Sequence, residues 1–200
     1  MEQGRVQVIC GCMYSGKTEE LVRLLRRAGY ARRHVLLIRP ATDTRSAEVA
    51  MSRSGTSYPS AVVSHSDEIP ALAAGAGAEI VAIDEAQFFD SGIVEVVEQL
   101  AATGCQVIVV GLDLDFLARP FGAMASLMAK ADEVRKLSAI CMVCGADATR
   151  TQRLINGQPA RINDPLVLIG GLGEEPGQGA PPPEERYEAR CRQHHFVPIA

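Results

Sequence analysis

An α/β fold built on a parallel sheet, followed by a small loop-rich module, is the class that these 200 residues predict. Three observations carry it. Short apolar runs alternate with longer helical stretches. A glycine-rich motif stands between the first apolar run and the first helical one. Two pairs of metal-ligating residues frame a C-terminal part that has little apolar content of its own.

The first run, VQVIC (Val6 to Cys10), is β-branched and continuous, as a strand covered on both faces should be. Behind it, TEELVRLLRRAGY places Leu21, Leu24, Leu25 and Ala28 at helical spacing, with Gly29 as the predicted stop. Three further strands are expected at HVLLI (His34 to Ile38), EIVAID (Glu79 to Asp84) and QVIVVG (Gln106 to Gly111). A second helix follows Asp90 through IVEVVEQLAATG, and Gly104 ends it. The α/β pattern stops near Leu137. The predicted layout is therefore a core over residues 1–136 and a module over 137–200, too small to be held by apolar packing alone. Within that module, Gly170 to Glu185 contains five glycines and four prolines in sixteen residues, the composition of a flexible loop.

Composition narrows the function. Twenty Lys and Arg against 24 Asp and Glu give a formal charge of −4, which disfavours a basic nucleic-acid binder. No apolar run reaches the roughly 18 residues that span a membrane, and Met1 leads into a short strand without an apolar leader. A cytoplasmic location is expected. There, six cysteines point to free or metal-bound thiols more than to disulfides. Aromatic residues make up only 4%, so the placement of the nine Phe and Tyr carries information.

The motif GCMYSGKT, Gly11 to Thr18, satisfies G-x-x-x-x-G-K-[ST] and lies between a predicted strand and a predicted helix. Its backbone N–H groups can curl around phosphate oxygens, the helix N-terminus adds partial positive charge, Lys17 reaches the outer phosphates, and Thr18 offers a hydroxyl to Mg²⁺. A nucleoside triphosphate is the expected ligand. At the end of the strand EIVAID, Asp84 stands where a P-loop protein holds magnesium, and Glu85 is a carboxylate beside the γ-phosphate, placed to take a proton from water or a hydroxyl. These two motifs leave an ATPase and a kinase equally open.

Cys141-x-x-Cys144 and Cys191-x-x-His194, 46 residues apart, match a structural zinc site of three thiolates and one imidazole. His195 is a rival to His194, which the two-residue gap favours. Cys10 and Cys105 read as core positions. Arg23, Arg26, Arg27, Arg32 and Arg33 read as a solvated helical face. Alone, TDTR (Thr42 to Arg45) and GLDLDF (Gly111 to Phe116) say only that loops open at the same sheet edge.

In combination, GCMYSGKTEEL, DTR, IDEAQFF, GLDLDF with Pro120-Phe121-Gly122, CMVCG, TQR and YEARCRQHH resemble, in this order and over nearly the whole chain, the zinc-containing thymidine kinases. The resemblance implies a RecA-like P-loop core with a small C-terminal zinc-binding lasso domain. It implies transfer of the ATP γ-phosphoryl group to the 5′-hydroxyl of thymidine or deoxyuridine, a homotetramer, and feedback inhibition by dTTP. A P-loop ATPase whose zinc module binds nucleic acid or a protein partner is the alternative. Carried over by position, Glu85 is the general base, while Lys17 and Arg45 stabilise the transferring phosphoryl group. Gly11, Cys12, Met13, Tyr14, Ser15, Gly16, Lys17 and Thr18 cradle ATP, and Thr18, Asp43 and Asp84 serve magnesium. Met13, Leu112, Phe88, Phe116 and Tyr187 enclose the thymine ring, and backbone groups at Thr151, Gly170 and Gly171 bond the nucleoside. Two departures stand out. Cys12 occupies a position where the family commonly has Pro, and the stretch from Leu172 to Arg186 is an insert in the lasso.

Overall fold

Continuous apolar strands need cover on both faces, and the chain supplies it with helices that carry one apolar stripe each. The computed structural model describes residues 4–42, 49–51, 57–165 and 184–198, with backbone alone at 49–51 and 57–59. The expectations for Asp43, Arg45, Gly170, Gly171 and residues 172–183 of the insert fall outside them.

From the N-terminus, β1 (Arg5–Gly11) leads through the glycine loop into α1 (Lys17–Tyr30), then β2 (Val35–Pro40) and the short β3 (Val49–Met51), β4 (Ser57–Pro59) and β5 (Ala61–Val63). The first part continues through α2 (Ile69–Gly75), β6 (Ile80–Ile83), α3 (Ile93–Ala102), β7 (Gln106–Gly111), α4 (Met124–Lys130) and β8 (Glu133–Leu137). Five short strands follow: β9 (Ala139–Ile140), β10 (Asp147–Ala148), β11 (Arg150–Ile155), β12 (Gln158–Pro159) and β13 (Glu185–Arg190). No helix among the described residues is long and apolar enough to cross a membrane.

Six strands form one sheet in the order β5-β2-β6-β7-β1-β8, and every neighbouring pair is parallel. This is the expected RecA-like core: β7 lies between the strand that enters the glycine loop and the strand that ends at Asp84. The period-2 alternation of strands distributes one core to each face. Val6, Val8, Cys10, Val81, Ile83, Val107 and Val109 meet α3 and α4 on one side. Ile9, Leu37, Ala82, Ile108 and Val110 meet Leu21, Leu25 and Ala28 of α1 on the other. Each fully buried Ile, Leu or Val here stabilises the fold by about 2 kcal/mol.

The four expected strands are the four central ones. The outer pair, β5 and β8, shows no such pattern in sequence. The β8 segment EVRKL has no fully buried residue, and a charged edge protects the sheet from pairing with another. Helix α1 also ends later than expected. Gly29 lies inside it, and the stop is made by Arg32 at φ 56°. Arg33 N–H donates to the Ala28 carbonyl and Arg32 N–H to that of Gly29, the two bonds of a Schellman cap with arginine at the left-handed position. Cys105 is half-buried at the margin of the core, packed against it, and its thiol donates to the Ala78 carbonyl.

In the C-terminal part, β12, β11 and β13 form an antiparallel sheet and β9 pairs with β10. Asn156 and Gly157, at φ 51° and 76°, make the two-residue turn between β11 and β12 that an Asn-Gly pair favours.

Candidate active site

Loops at the carboxyl ends of parallel strands converge where the strand order reverses. Here the ends of β1, β6 and β7 bring together the glycine loop, Asp84 with Glu85, and Leu112. They enclose a cavity of about 260 Å³ whose walls are residues 13–19, Asp84, Glu85 and Leu112. Gly16 opens α1 at φ 85°, a conformation that only glycine adopts without strain. The helix N-terminus therefore faces the cavity, adding its partial positive charge.

Lys17 Nζ donates to the Cys12 carbonyl across the loop at 2.9 Å. Burial pushes its ammonium below the usual lysine range, and the negative charges of Glu85, Asp84 and Asp113 oppose that shift. A buried cation among carboxylates, with the Thr18 hydroxyl beside it, is a donor set that fits a triphosphate and its magnesium. Asp84 is buried, and its Oδ1 accepts the Glu85 N–H at 2.9 Å. Glu85 itself sits at φ 51°, ψ 42°, left-handed for a residue with a Cβ. Such strain costs on the order of 1–3 kcal/mol and clusters at functional sites.

Of the residues expected around thymine, Met13 and Leu112 line this cavity. Phe88 stands beyond it and packs edge-on against Phe121, with ring centroids 5.5 Å apart. Phe116 is buried under the Arg153 guanidinium, 5.3 Å from its ring, and its carbonyl bonds His195 Nε2 at 2.9 Å. Tyr187 directs its hydroxyl to Glu185, and its carbonyl accepts from Tyr14 Oη at 3.2 Å. The Thr151 hydroxyl oxygen accepts the Met13 N–H at 3.1 Å. Cys12 turns its thiol away from the phosphate cavity to the Ala148 carbonyl, 3.3 Å away. Burial raises that thiol, and burial beside Asp113 raises Cys10 to about 11, so both sulfurs stay protonated.

Sequence reasoning passed over Gln87 and Arg153. Both are polar, and both are almost wholly buried. Arg153 reaches Glu185 through Nε at 2.7 Å and the Pro165 carbonyl through Nη1. Their only sequence signal is their place inside the motifs IDEAQFF and TQR.

Cys141, Cys144, Cys191 and His194 bring their ligand atoms within 4.8 Å of one another, and His195, bonded to Phe116, is not among them. A tetrahedron with Zn–S about 2.3 Å has S···S edges of about 3.8 Å and S···N edges of about 3.6 Å. The Cys144–Cys191 edge is 3.8 Å, and His194 Nδ1 lies 3.8 Å from Cys141 Sγ and 3.2 Å from Cys191 Sγ. Burial works against ionisation of Cys141, but backbone N–H groups of Cys191, Val143 and Cys144 bring its thiol down to about 6. The cluster is compatible with structural zinc.

A parallel sheet with a glycine loop at β1 and a carboxylate pair after β6 is the arrangement of a P-loop nucleotide-binding protein, and Lys17, Asp84 and Glu85 line its cavity. The family model described as thymidine kinase matches residues 4–195. A curated thymidine kinase from Coprothermobacter proteolyticus is 52% identical over 198 residues, covering 98% of this chain and 93% of that protein. The chain belongs to the thymidine kinase family and is thereby an ATP-dependent nucleoside kinase. Family membership does not favour the nucleic-acid-binding ATPase.

Proposed function

We propose that this chain transfers the γ-phosphoryl group of ATP to the 5′-hydroxyl of thymidine, or of deoxyuridine, giving the nucleoside monophosphate and ADP. The placement of Glu85 carries the reading. Its backbone is held in a left-handed turn at the wall of the cavity that also contains Lys17 and the helix N-terminus. A base there removes the proton from the attacking 5′-oxygen as the bond to the γ-phosphorus forms. Lys17 and the loop amides hold the charge that develops on the transferring group. Magnesium, held by Thr18 and Asp84, supplies charge neutralisation on the phosphates. Met13 and Leu112 offer apolar surface to the thymine methyl. Residues 137–200 act as a zinc-held lasso module. Feedback inhibition by dTTP, a homotetramer, cytoplasmic residence and the lack of nucleic-acid or membrane partners belong to the same proposal and rest on the family.

The test is ADP formation with and without thymidine. Turnover should depend on thymidine, and Glu85→Gln should bind ATP normally while losing on the order of 10²-fold or more in kcat. ADP release indifferent to thymidine and stimulated by DNA would overturn the reading.

A further inference from the structure

Gln87 lies two residues after Glu85, is 3% exposed, and uses both ends of its amide. Nε2 donates to Glu85 Oε2 at 2.5 Å, and Oε1 accepts the Leu112 N–H at 2.9 Å. The orientation of this amide follows from its partners: a backbone N–H can only donate, so the oxygen faces Leu112 and the NH₂ group faces the carboxylate. The two loops that meet across the cavity, after β6 and after β7, are thus bridged by one side chain.

The surrounding backbone is shaped for it. A Cβ on Gly111 would fall 2.6 Å from Gln87 Oε1 and 2.8 Å from Met124 Sδ. A Cβ on Gly122, at φ 52°, would fall 2.2 Å from the Gln87 carbonyl. Two glycines, one at the end of β7 and one in the loop before α4, leave the room that Gln87 fills, so the close approach is a built feature of the site.

We propose that Gln87 is a positioning residue that couples the catalytic base to the loop that reads the nucleoside base. The inference rests on the thymidine kinase reading above. By holding Oε2, Gln87 directs Oε1 of Glu85 to the 5′-hydroxyl and keeps the carboxylate an acceptor. By holding the Leu112 amide, it sets where the Leu112 side chain meets the thymine methyl. One residue then affects both turnover and the preference for thymidine over deoxyuridine. It does not line the cavity, so ATP binding should not depend on it.

Two substitutions separate the halves of the bridge. Gln87→Glu keeps an acceptor for the Leu112 N–H but replaces the donor facing Glu85 with a second carboxylate. Its kcat should fall on the order of 10²-fold, the cost of misplacing a reacting group, with the KM for ATP close to wild type and the thermal midpoint lowered by the second buried carboxylate. Gln87→Met loses both bonds. It should lose kcat and also bring the kcat/KM ratio of thymidine to deoxyuridine close to one. Gly111→Ala, whose methyl would press directly on the Gln87 amide oxygen, should reproduce the Gln87→Met pattern in weaker form. If the wild-type chain turns over thymidine and Gln87→Glu keeps its kcat within twofold, the positioning role is wrong while the kinase reading stands. If Gln87→Met folds and keeps the wild-type substrate ratio, the coupling to Leu112 is wrong. A wild-type chain that ignores thymidine would instead overturn the kinase reading itself.

Discussion

Removing the metal from the four-residue cluster should unfold the small module while leaving the six-stranded sheet intact. The buried apolar residues of that module are Ala139, Cys141, Ala148, Leu154, Ala160 and Ala189, joined by Cys12 of the glycine loop. At about 0.8 kcal/mol for each methyl-sized group and about 2 kcal/mol for the leucine, they contribute about 7 kcal/mol. Structural zinc contributes about 10–16 kcal/mol in small domains, so the ion dominates. The 3.8 Å edge between Cys144 and Cys191 is the separation that a tetrahedral zinc thiolate pair requires. Elemental analysis should find one zinc per chain. Cys144→Ala removes the exposed ligand, so it tests the metal without carving a core cavity. In that variant, and after chelation, amide hydrogen exchange should become fast across β9, β11 and β13 and stay slow in β1, β6 and β7. A zinc-free protein that kept slow exchange in β11 and β13 would refute the reasoning, because the small cluster would then suffice.

Further outcomes follow from single contacts. Deoxyuridine lacks one methyl, worth about 0.8 kcal/mol, so its kcat/KM should lie about fourfold below that of thymidine in side-by-side assays. Arg32→Gly should raise the unfolding free energy by about 0.5 kcal/mol in denaturant titrations, since relief of a left-handed side chain costing about 1 kcal/mol exceeds the added freedom of the unfolded chain. The Ser66 hydroxyl, with the backbone N–H groups of Ser66 and Gly92, holds the Asp90 carboxyl below its usual range. The folded state therefore binds fewer protons than the unfolded one, and this stability is complete above the ordinary carboxylate value of about 3.9 and lost as pH falls through the folded value. Asp90→Ala should cost about 1 kcal/mol at pH 7, a modest figure for an exposed group. The difference from wild type should shrink in acid titrations followed by circular dichroism.

The central strands were legible because burial on both faces forces a continuous apolar run, as in IVAI of β6 and VIVV of β7. The edges were not, because an edge strand such as β8 is selected to be charged. The helix stop at Arg32 was hidden for another reason: a Schellman cap needs a left-handed residue, and arginine gives no sign of adopting that conformation. That Lys17, Thr18, Asp84 and Glu85 line one cavity could be expected from residue type and spacing alone. Gln87 could not, because its function depends on meeting the Leu112 amide, 25 residues away, and sequence order does not show that meeting. The Asn156-Gly157 turn is legible from its dipeptide alone.

The sequence also presents the phosphate loop and the zinc-ligating module as separate parts, and the contacts argue against that separation. Three consecutive loop residues each bond the C-terminal part. Cys12 Sγ donates to the Ala148 carbonyl, Met13 N–H donates to Thr151 Oγ1, and Tyr14 Oη donates to the Tyr187 carbonyl. These partners lie on β10, β11 and β13. Tyr14 is itself left-handed, at φ 65°, a conformation that its bond to β13 helps to hold. The glycine loop is thus anchored on one side by its own helix and on the other by a module whose candidate metal ligand Cys141 packs in one buried cluster with Cys12. Loss of the metal cluster should weaken ATP binding as well as nucleoside binding, although no ligand of the cluster lines the phosphate cavity. A Cys144→Ala enzyme with an unchanged KM for ATP and an impaired KM for thymidine would show that the anchoring does not matter and that the module serves the nucleoside alone.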